Sequence, residues 1–238
     1  MESNKITPIL IAALIFAAFV SGSLWNKVRN LESEKEEQKA EEMVQAPEAA
    51  PEEPQVLGVE DQAEIVAEAA AVKGLDGAKV TIVEFSEYQC PFCKRYVDSA
   101  YKRILDEYGE EIRYVFRDYP LPFHPNAQIT SEAARCAGEQ GDYWSYHDKL
   151  FEDQETWSNL DSPKETLVGY AGTLGLNQAN FQTCLNNGTY IQAIKDDVSL
   201  GQKMGVSGTP TFFINGQKLV GAQPFENFKT TIDQELAK

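Results

Sequence analysis

The sequence predicts an α/β fold in which a β-α-β unit and a β-β-α unit share one mixed sheet, with a helical lobe inserted between them. Three observations carry this reading. Val80–Ser86 (VTIVEFS) and Ile112–Arg117 (IRYVFR) are β-branched and aromatic runs separated by a helical pattern. Thr211–Ile214 (TFFI) and Lys218–Val220 flank Asn215-Gly216, a dipeptide suited to a tight hairpin. Between these two blocks the apolar residues recur at helical spacing.

The elements follow in order. After the first strand, Cys90–Tyr108 reads as a helix with a proline at its start; Val97, Tyr101, Ile104, Leu105 and Tyr108 recur on one face, and Gly109 stops it. The second strand leads into Asp118–Pro125 (DYPLPFHP), a loop with three prolines. Helical patterns then span about 127–139, 143–152, 163–174, 178–186 and 190–204. In the third of these, Ser162, Pro163 and Glu165 read as N-cap, first helical residue and capping-box acid. Pro224–Leu236 closes the chain as a helix. Two parallel strands joined by a helix require a right-handed crossover.

The 238 residues are 42% apolar and 24% charged, enough for one domain with a core plus further segments. Against 37 acidic side chains stand 21 basic ones, a net charge of −16. That excludes the basic footprint of a nucleic-acid binder and attraction to an anionic lipid surface. Two histidines and four cysteines leave little for a multi-ligand metal site. Neither a bound cofactor nor a metal is expected.

Residues 1–26 contain the apolar run Ile6–Val20, which extended to Trp25 is about long enough to span a bilayer. An uncleaved anchor, a cleaved signal and a buried helix all fit; the first two export the rest of the chain. Residues 27–73 form an acidic stretch rich in Ala, Glu and Pro that reads as stalk and linker, including QAPEAAPEEPQ. Within it, Glu60–Val72 has good helix formers that either dock on the domain or continue the stalk. The globular part is expected at residues 74–238, with the helical insertion at about 126–204.

The chemistry centres on Cys90-Pro91-Phe92-Cys93, which follows a strand and opens a helix. Free N–H groups and the positive end of the helix favour a thiolate at Cys90 and lower its pKa. A stabilised thiolate makes the Cys90–Cys93 disulfide a better oxidant. Cys93, one turn in, is expected to be more buried and to release Cys90 from a mixed disulfide. A structural disulfide and half of a zinc site are the bland alternatives. The zinc reading needs two more ligands, and only His124, His147, Cys136 and Cys184 are on offer.

Thr209-Pro210 stands before the strand Thr211–Ile214. A strand-start proline is tolerable in itself. A cis bond would turn the Thr209 backbone towards the cysteines, where its N–H and C=O could pair with an extended substrate. Glu84 lies in an apolar strand six residues before Cys90, where a carboxylate is costly unless it has a role or points to solvent. Cys136 and Cys184 fall on two lobe helices; a structural bridge, two reduced core thiols and a second redox couple are all open. His124, in the proline-rich loop, either makes local hydrogen bonds or stabilises a thiolate if it lies near Cys90. Glu87 would oppose a lowered Cys90 pKa, whereas Lys94 and Arg95 would favour it. Phe92 and Tyr88 flank the cysteines as candidate apolar surface. The aromatic cluster of Tyr143, Trp144, Tyr146, Phe151 and Trp157 reads as lobe core, and His147 as structural.

The strand–CPFC–helix unit, the Gly-Thr-Pro before a strand–Asn-Gly–strand hairpin and the final helix resemble the thioredoxin fold. The stretches EFSEYQCPFC, LPFHPNA, GDYWSYHDKLFE and VSGTPTFFING resemble its bacterial DsbA-like branch, which includes membrane-anchored members. The resemblance covers about residues 74–238. It implies a cis Pro210 facing Cys90, Cys90 as nucleophile and Cys93 as resolving thiol. It also implies a buried Glu84 that exchanges a proton with Cys93, and supports a structural Cys136–Cys184 bridge. The activity it implies is that of an extracytoplasmic thiol–disulfide oxidoreductase, first an oxidase donating disulfides to exported proteins with free thiols. A reductase or isomerase of the same fold is the alternative, and a membrane-tethered chaperone or binding module is the alternative from another class. The implied partner is a quinone-linked membrane oxidase, DsbB-like or vitamin-K-epoxide-reductase-like. The implied location is the cell membrane, by one N-terminal pass with the domain outside, or a secreted or periplasmic site after signal cleavage.

Overall fold

A computed structural model describes residues 56–238, which belong to one compact unit. The candidate anchor and the stalk up to Gln55 lie outside the described residues. Among the described residues no helix is long and apolar enough to cross a membrane.

Helix α1 (Val59–Val66) and the short strand β1 (Ala71–Lys73) precede β2 (Val80–Ser86). Helix α2 (Pro91–Tyr96) continues through a π-helical turn (Val97–Tyr101) into α3 (Lys102–Tyr108), then β3 (Ile112–Asp118). The lobe consists of α4 (Ala127–Gly138), α5 (Tyr143–Glu152), α6 (Gln154–Trp157), α7 (Lys164–Thr173), α8 (Gln178–Asn187) and α9 (Ile191–Lys203). Strands β4 (Thr211–Ile214) and β5 (Gln217–Val220) and helix α10 (Phe225–Leu236) complete the chain.

The sheet order is β1-β3-β2-β4-β5. Strands β2 and β3 run parallel, and β2–β4, β4–β5 and β1–β3 are antiparallel, so the two halves form the mixed sheet the sequence predicts. At the hairpin, Asn215 and Gly216 both take positive φ (45° and 84°), the conformation that suits this dipeptide to a two-residue turn. Alternation along β2 sorts its side chains. Ile82 packs with Tyr96, Tyr114, Phe212 and Phe228 under α2 and α10; Val83 and Phe85 face Val115, Phe213 and Ile65 on the other side.

The packed part begins ahead of Gly74, the boundary that composition suggests. Ile65 of α1 is buried, and β1 pairs with β3 from Ala71↔Phe116 to Lys73↔Tyr114. Arg117 adds to these contacts. Its guanidinium donates to the carbonyl oxygens of Ile65 (2.9 Å), Glu64 (3.2 Å), Glu68 (3.3 Å) and Ala67, gathering the C-terminal end of α1 onto the sheet. A cation suits the carbonyl end of a helix. The capping box at Ser162 does not form: Pro163 holds the N-cap position, its carbonyl accepts from Leu167 N–H (2.9 Å), and no side chain caps the helix.

Candidate active site

Strand β2 delivers its last residues to the start of α2, so that Cys90 is the N-cap residue and Pro91 the first residue of the helix. Both cysteines are thiols. Cys90 keeps 2% of its surface exposed and Cys93 none, which leaves Cys90 as the sulfur a partner can reach. The Cys90 pKa is lowered to about 5. The Cys93 thiol beside it is the largest cause, opposed by burial and aided by Thr209 and by the N–H groups of Cys93 and Phe92. The Cys93 thiol is pushed well above its ordinary value by burial, then by Cys90 and Glu84. The proton affinities of the two sulfurs are thus pushed apart, that of Cys90 down towards the thiolate and that of Cys93 up.

The Thr209–Pro210 bond is cis. The Cys90 thiol donates to the Thr209 carbonyl oxygen at 3.5 Å. The Thr209 hydroxyl has no other hydrogen-bond partner, which leaves it to donate to the sulfur once Cys90 ionises.

Glu84 is fully buried rather than turned to solvent. One carboxyl oxygen accepts from the Tyr114 hydroxyl, which is itself 2.9 Å from the Tyr96 hydroxyl. The other oxygen has no hydrogen-bond partner. Burial raises the Glu84 pKa to about 7, with Tyr114 and Ser86 holding it down and Cys90 pushing it up. Tyr114 was not singled out from the sequence; its signal is the alternation Ile112–Tyr114–Phe116, which puts it on the same face as Glu84 once β2 and β3 pair in parallel.

Sequence reasoning also left a web of hydrogen bonds around Cys90 unread. Glu87 is fully buried; one oxygen meets Nδ1 of His124, and the other accepts from Gln89 N–H at 2.5 Å. The Gln89 side chain accepts from Asn126 N–H (2.7 Å) and donates to Ser158 O (2.8 Å). Gln154 donates to the carbonyls of Tyr88 (2.6 Å) and Cys90 (3.1 Å). The turn before Cys90 is thereby tied both to the proline-rich loop and to the lobe. Only the fold brings these polar residues together. Lys94 is paired with Asp98 at 3.0 Å, and Arg95 lies 4.9 Å above the Phe92 ring.

Phe92 is half exposed, but Tyr88 is not surface: it is buried, stacks on Phe116 and shares a hydrogen bond with Tyr143 (2.9 Å). The lobe aromatics Tyr143, Tyr146, Phe151 and Trp157 are buried in one cluster with Cys90 and Cys93, and Trp144 packs against it. His147 is buried there with its pKa lowered by burial. Cys136 and Cys184 are bonded, joining α4 to α8 across 48 residues. Among the described residues, no group of three or more His, Cys, Asp or Glu side chains is placed to hold a metal ion.

The arrangement has the chemistry for thiol–disulfide exchange, and comparison with known proteins places the fold and the family. The family model described as Thioredoxin matches residues 67–234. A Na(+)/H(+) antiporter NhaA 1 of Salinispora arenicola is 36% identical over 70% of this chain, which spans only 24% of that protein's length. Disulfide bond formation protein D of Bacillus subtilis is 28% identical over 69% of this chain and 76% of its own. Among solved structures, oxidised BdbD of Bacillus subtilis superposes with a TM-score of 0.67 at 24% identity, covering 78% of this chain and 97% of that one. The α-DsbA1 of Wolbachia pipientis gives 0.63 at 24% identity, covering 70% and 90%. The chain belongs to the thioredoxin family and has the fold of its DsbA-type members.

Proposed function

We propose that this chain is an extracytoplasmic thiol–disulfide oxidoreductase that donates the Cys90–Cys93 disulfide to exported proteins with free thiols. The observation that carries the reading is the placement of Cys90 at the N-cap of α2, beside the Thr209 carbonyl and a fully buried Cys93, an arrangement that lowers the pKa of Cys90 and raises that of Cys93. A substrate thiolate attacks Cys90 Sγ, the Cys90–Cys93 bond breaks and Cys93 leaves. Glu84, near neutrality in its proton affinity, supplies Cys93 with a proton. A second substrate thiol then attacks the substrate sulfur of the mixed disulfide and expels Cys90 as a thiolate. The substrate dithiol loses two electrons, and the cysteine pair gains them. The Thr209 backbone, beside Cys90, is suited to align the substrate chain by strand addition. A quinone-linked membrane oxidase would restore the disulfide. The Cys136–Cys184 bridge supports an oxidising compartment, and the apolar run Ile6–Val20 supports a membrane tether.

The test is disulfide transfer from the oxidised full chain to a reduced dithiol peptide. Transfer is expected from the wild type and lost in Cys90→Ser. If Cys90→Ala/Cys93→Ala retains every activity towards unfolded chains, the protein is a binding module instead.

A further inference from the structure

We propose that Glu87 and His124 hold one proton between them and exchange it in step with the redox state of Cys90, binding it when Cys90 becomes a thiolate and releasing it when the disulfide re-forms. The inference rests on the reading of Cys90 as the reacting sulfur. Glu87 has no exposed surface, and both its oxygens are engaged, one by His124 Nδ1 and one by the N–H of Gln89, the residue next to Cys90. His124 is held in place by its own loop: its N–H donates to Leu121 O (3.0 Å), and its carbonyl accepts from Ala127 N–H (3.2 Å). The exposed Phe123 ring packs edge-on against the imidazole with centroids 4.7 Å apart. This is a built position, reached from two segments 37 residues apart.

A carboxylate with no access to water must be paired or neutral. With one proton, the pair has no net charge, whichever atom holds it. Without that proton, it places a negative charge beside Cys90. The pKa of Glu87 is raised to about 7, mainly by burial and in part by the charge of Cys90, and such a coupling between two charges is reciprocal. Glu84 bears on Cys90 and Cys93 from β2, while on α2 Lys94 pairs with Asp98 and Arg95 with the Phe92 ring.

The proton balance follows. A substrate dithiol brings two electrons and two protons to the Cys90–Cys93 disulfide. One proton ends on Cys93. Cys90 stays a thiolate, so the second is shared between the Glu87–His124 pair, where that pair is empty, and the solvent. Glu87 and His124 therefore act through Cys90 as positioning residues that keep its surroundings neutral in the reduced protein.

The test compares the wild type with Glu87→Gln/His124→Gln, in which the site is always neutral. The full chains are equilibrated with glutathione at about pH 6 and about pH 8. Their equilibria should coincide at the lower pH; at the higher, the wild type should be the weaker oxidant by roughly fivefold or more. A merely structural role would change both pH values alike, and that result overturns the proposal. Should the double variant not fold, the wild type suffices. The chain has two histidines, and the ring signals of His124 can be followed by NMR in reduced and oxidised protein. The pair should release its proton at a pH higher by roughly 0.7 of a unit or more in the reduced form, the shift that a fivefold effect requires. Equal midpoints in the two forms overturn it. If no Cys90–Cys93 equilibrium with glutathione exists at all, the underlying functional reading has failed rather than the pair.

Discussion

Thr209 presents its carbonyl oxygen 3.5 Å from Cys90 Sγ, although 119 residues separate them in the chain. Its hydroxyl, without another partner, is one of the groups that lower the pKa of Cys90. Thr209→Val keeps the shape and the carbonyl but removes that donor. The Cys90 thiolate, read by its ultraviolet absorbance, should titrate near the wild-type value of about 5 in the parent and roughly a unit higher in the variant. Unchanged titration would show that the hydroxyl does not donate to the sulfur.

Glu84 is a carboxylic acid whose proton affinity rises on folding, from 4.5 to about 7. The folded state therefore binds the proton more readily than the unfolded chain. The stability this contributes is present in full below about pH 4.5 and is lost as pH rises through 7. Replacing Glu84 by Gln removes that dependence. Denaturant unfolding should show Glu84→Gln gaining about 3 kcal/mol over the wild type between about pH 4 and pH 8. Disulfide transfer by the variant should be slower at neutral pH, because Cys93 loses its proton donor. Equal transfer rates from about pH 6 to pH 8 would remove Glu84 from the mechanism.

The Cys136–Cys184 bridge closes 48 residues of the lobe and sits in the same buried cluster as Cys90 and Cys93. In the chain-entropy account, a loop of that length is worth roughly 4 kcal/mol. Cys136→Ala/Cys184→Ala should lose about that much stability while retaining disulfide transfer at low temperature. Loss of transfer in a folded double variant would mark the bridge as a second redox couple.

Asp197 joins both Arg117 and Arg135, while Asp118 takes the other side of Arg135, all of them buried. Asp197→Ala leaves two guanidinium groups short of a carboxylate, a change expected to cost about 3–5 kcal/mol. Because Arg117 also holds the end of α1, hydrogen exchange of residues 59–66 should accelerate in the variant. Protection equal to the wild type would mean that α1 is held by its apolar contacts alone.

Much of this architecture was legible in the sequence because it rests on local patterns. Val80–Ser86, Tyr143–Glu152 and Thr211–Ile214 match their expected bounds: the two strands are short β-branched and aromatic runs buried on both faces, and the helix shows its apolar residues at helical spacing. Cys90, Cys93 and Pro210 stood out by motif. Strand β1 did not: three residues, Ala71–Lys73, are too short to show a period, and their Ala-rich approach resembles a linker. They are attached by backbone pairing with β3, and Arg117 holds the preceding end of α1 by the carbonyls of Glu64, Ile65, Ala67 and Glu68, contacts that carry no residue signature. The Glu87–His124 contact and the clasp of Gln154 on Cys90 O are likewise products of tertiary placement.

In the proposed function, the ionised Cys90 stabilises the reduced form enough to make this chain a disulfide donor. The most direct measurement is the reduction potential of Cys90–Cys93 in the full chain, obtained by equilibrating it in glutathione buffers and weighing the trapped thiols by mass spectrometry. A potential near about −120 mV, that of a strong thiol oxidant, is the expected result. A potential near about −270 mV, that of thioredoxin, would contradict the account and make the protein a reductase.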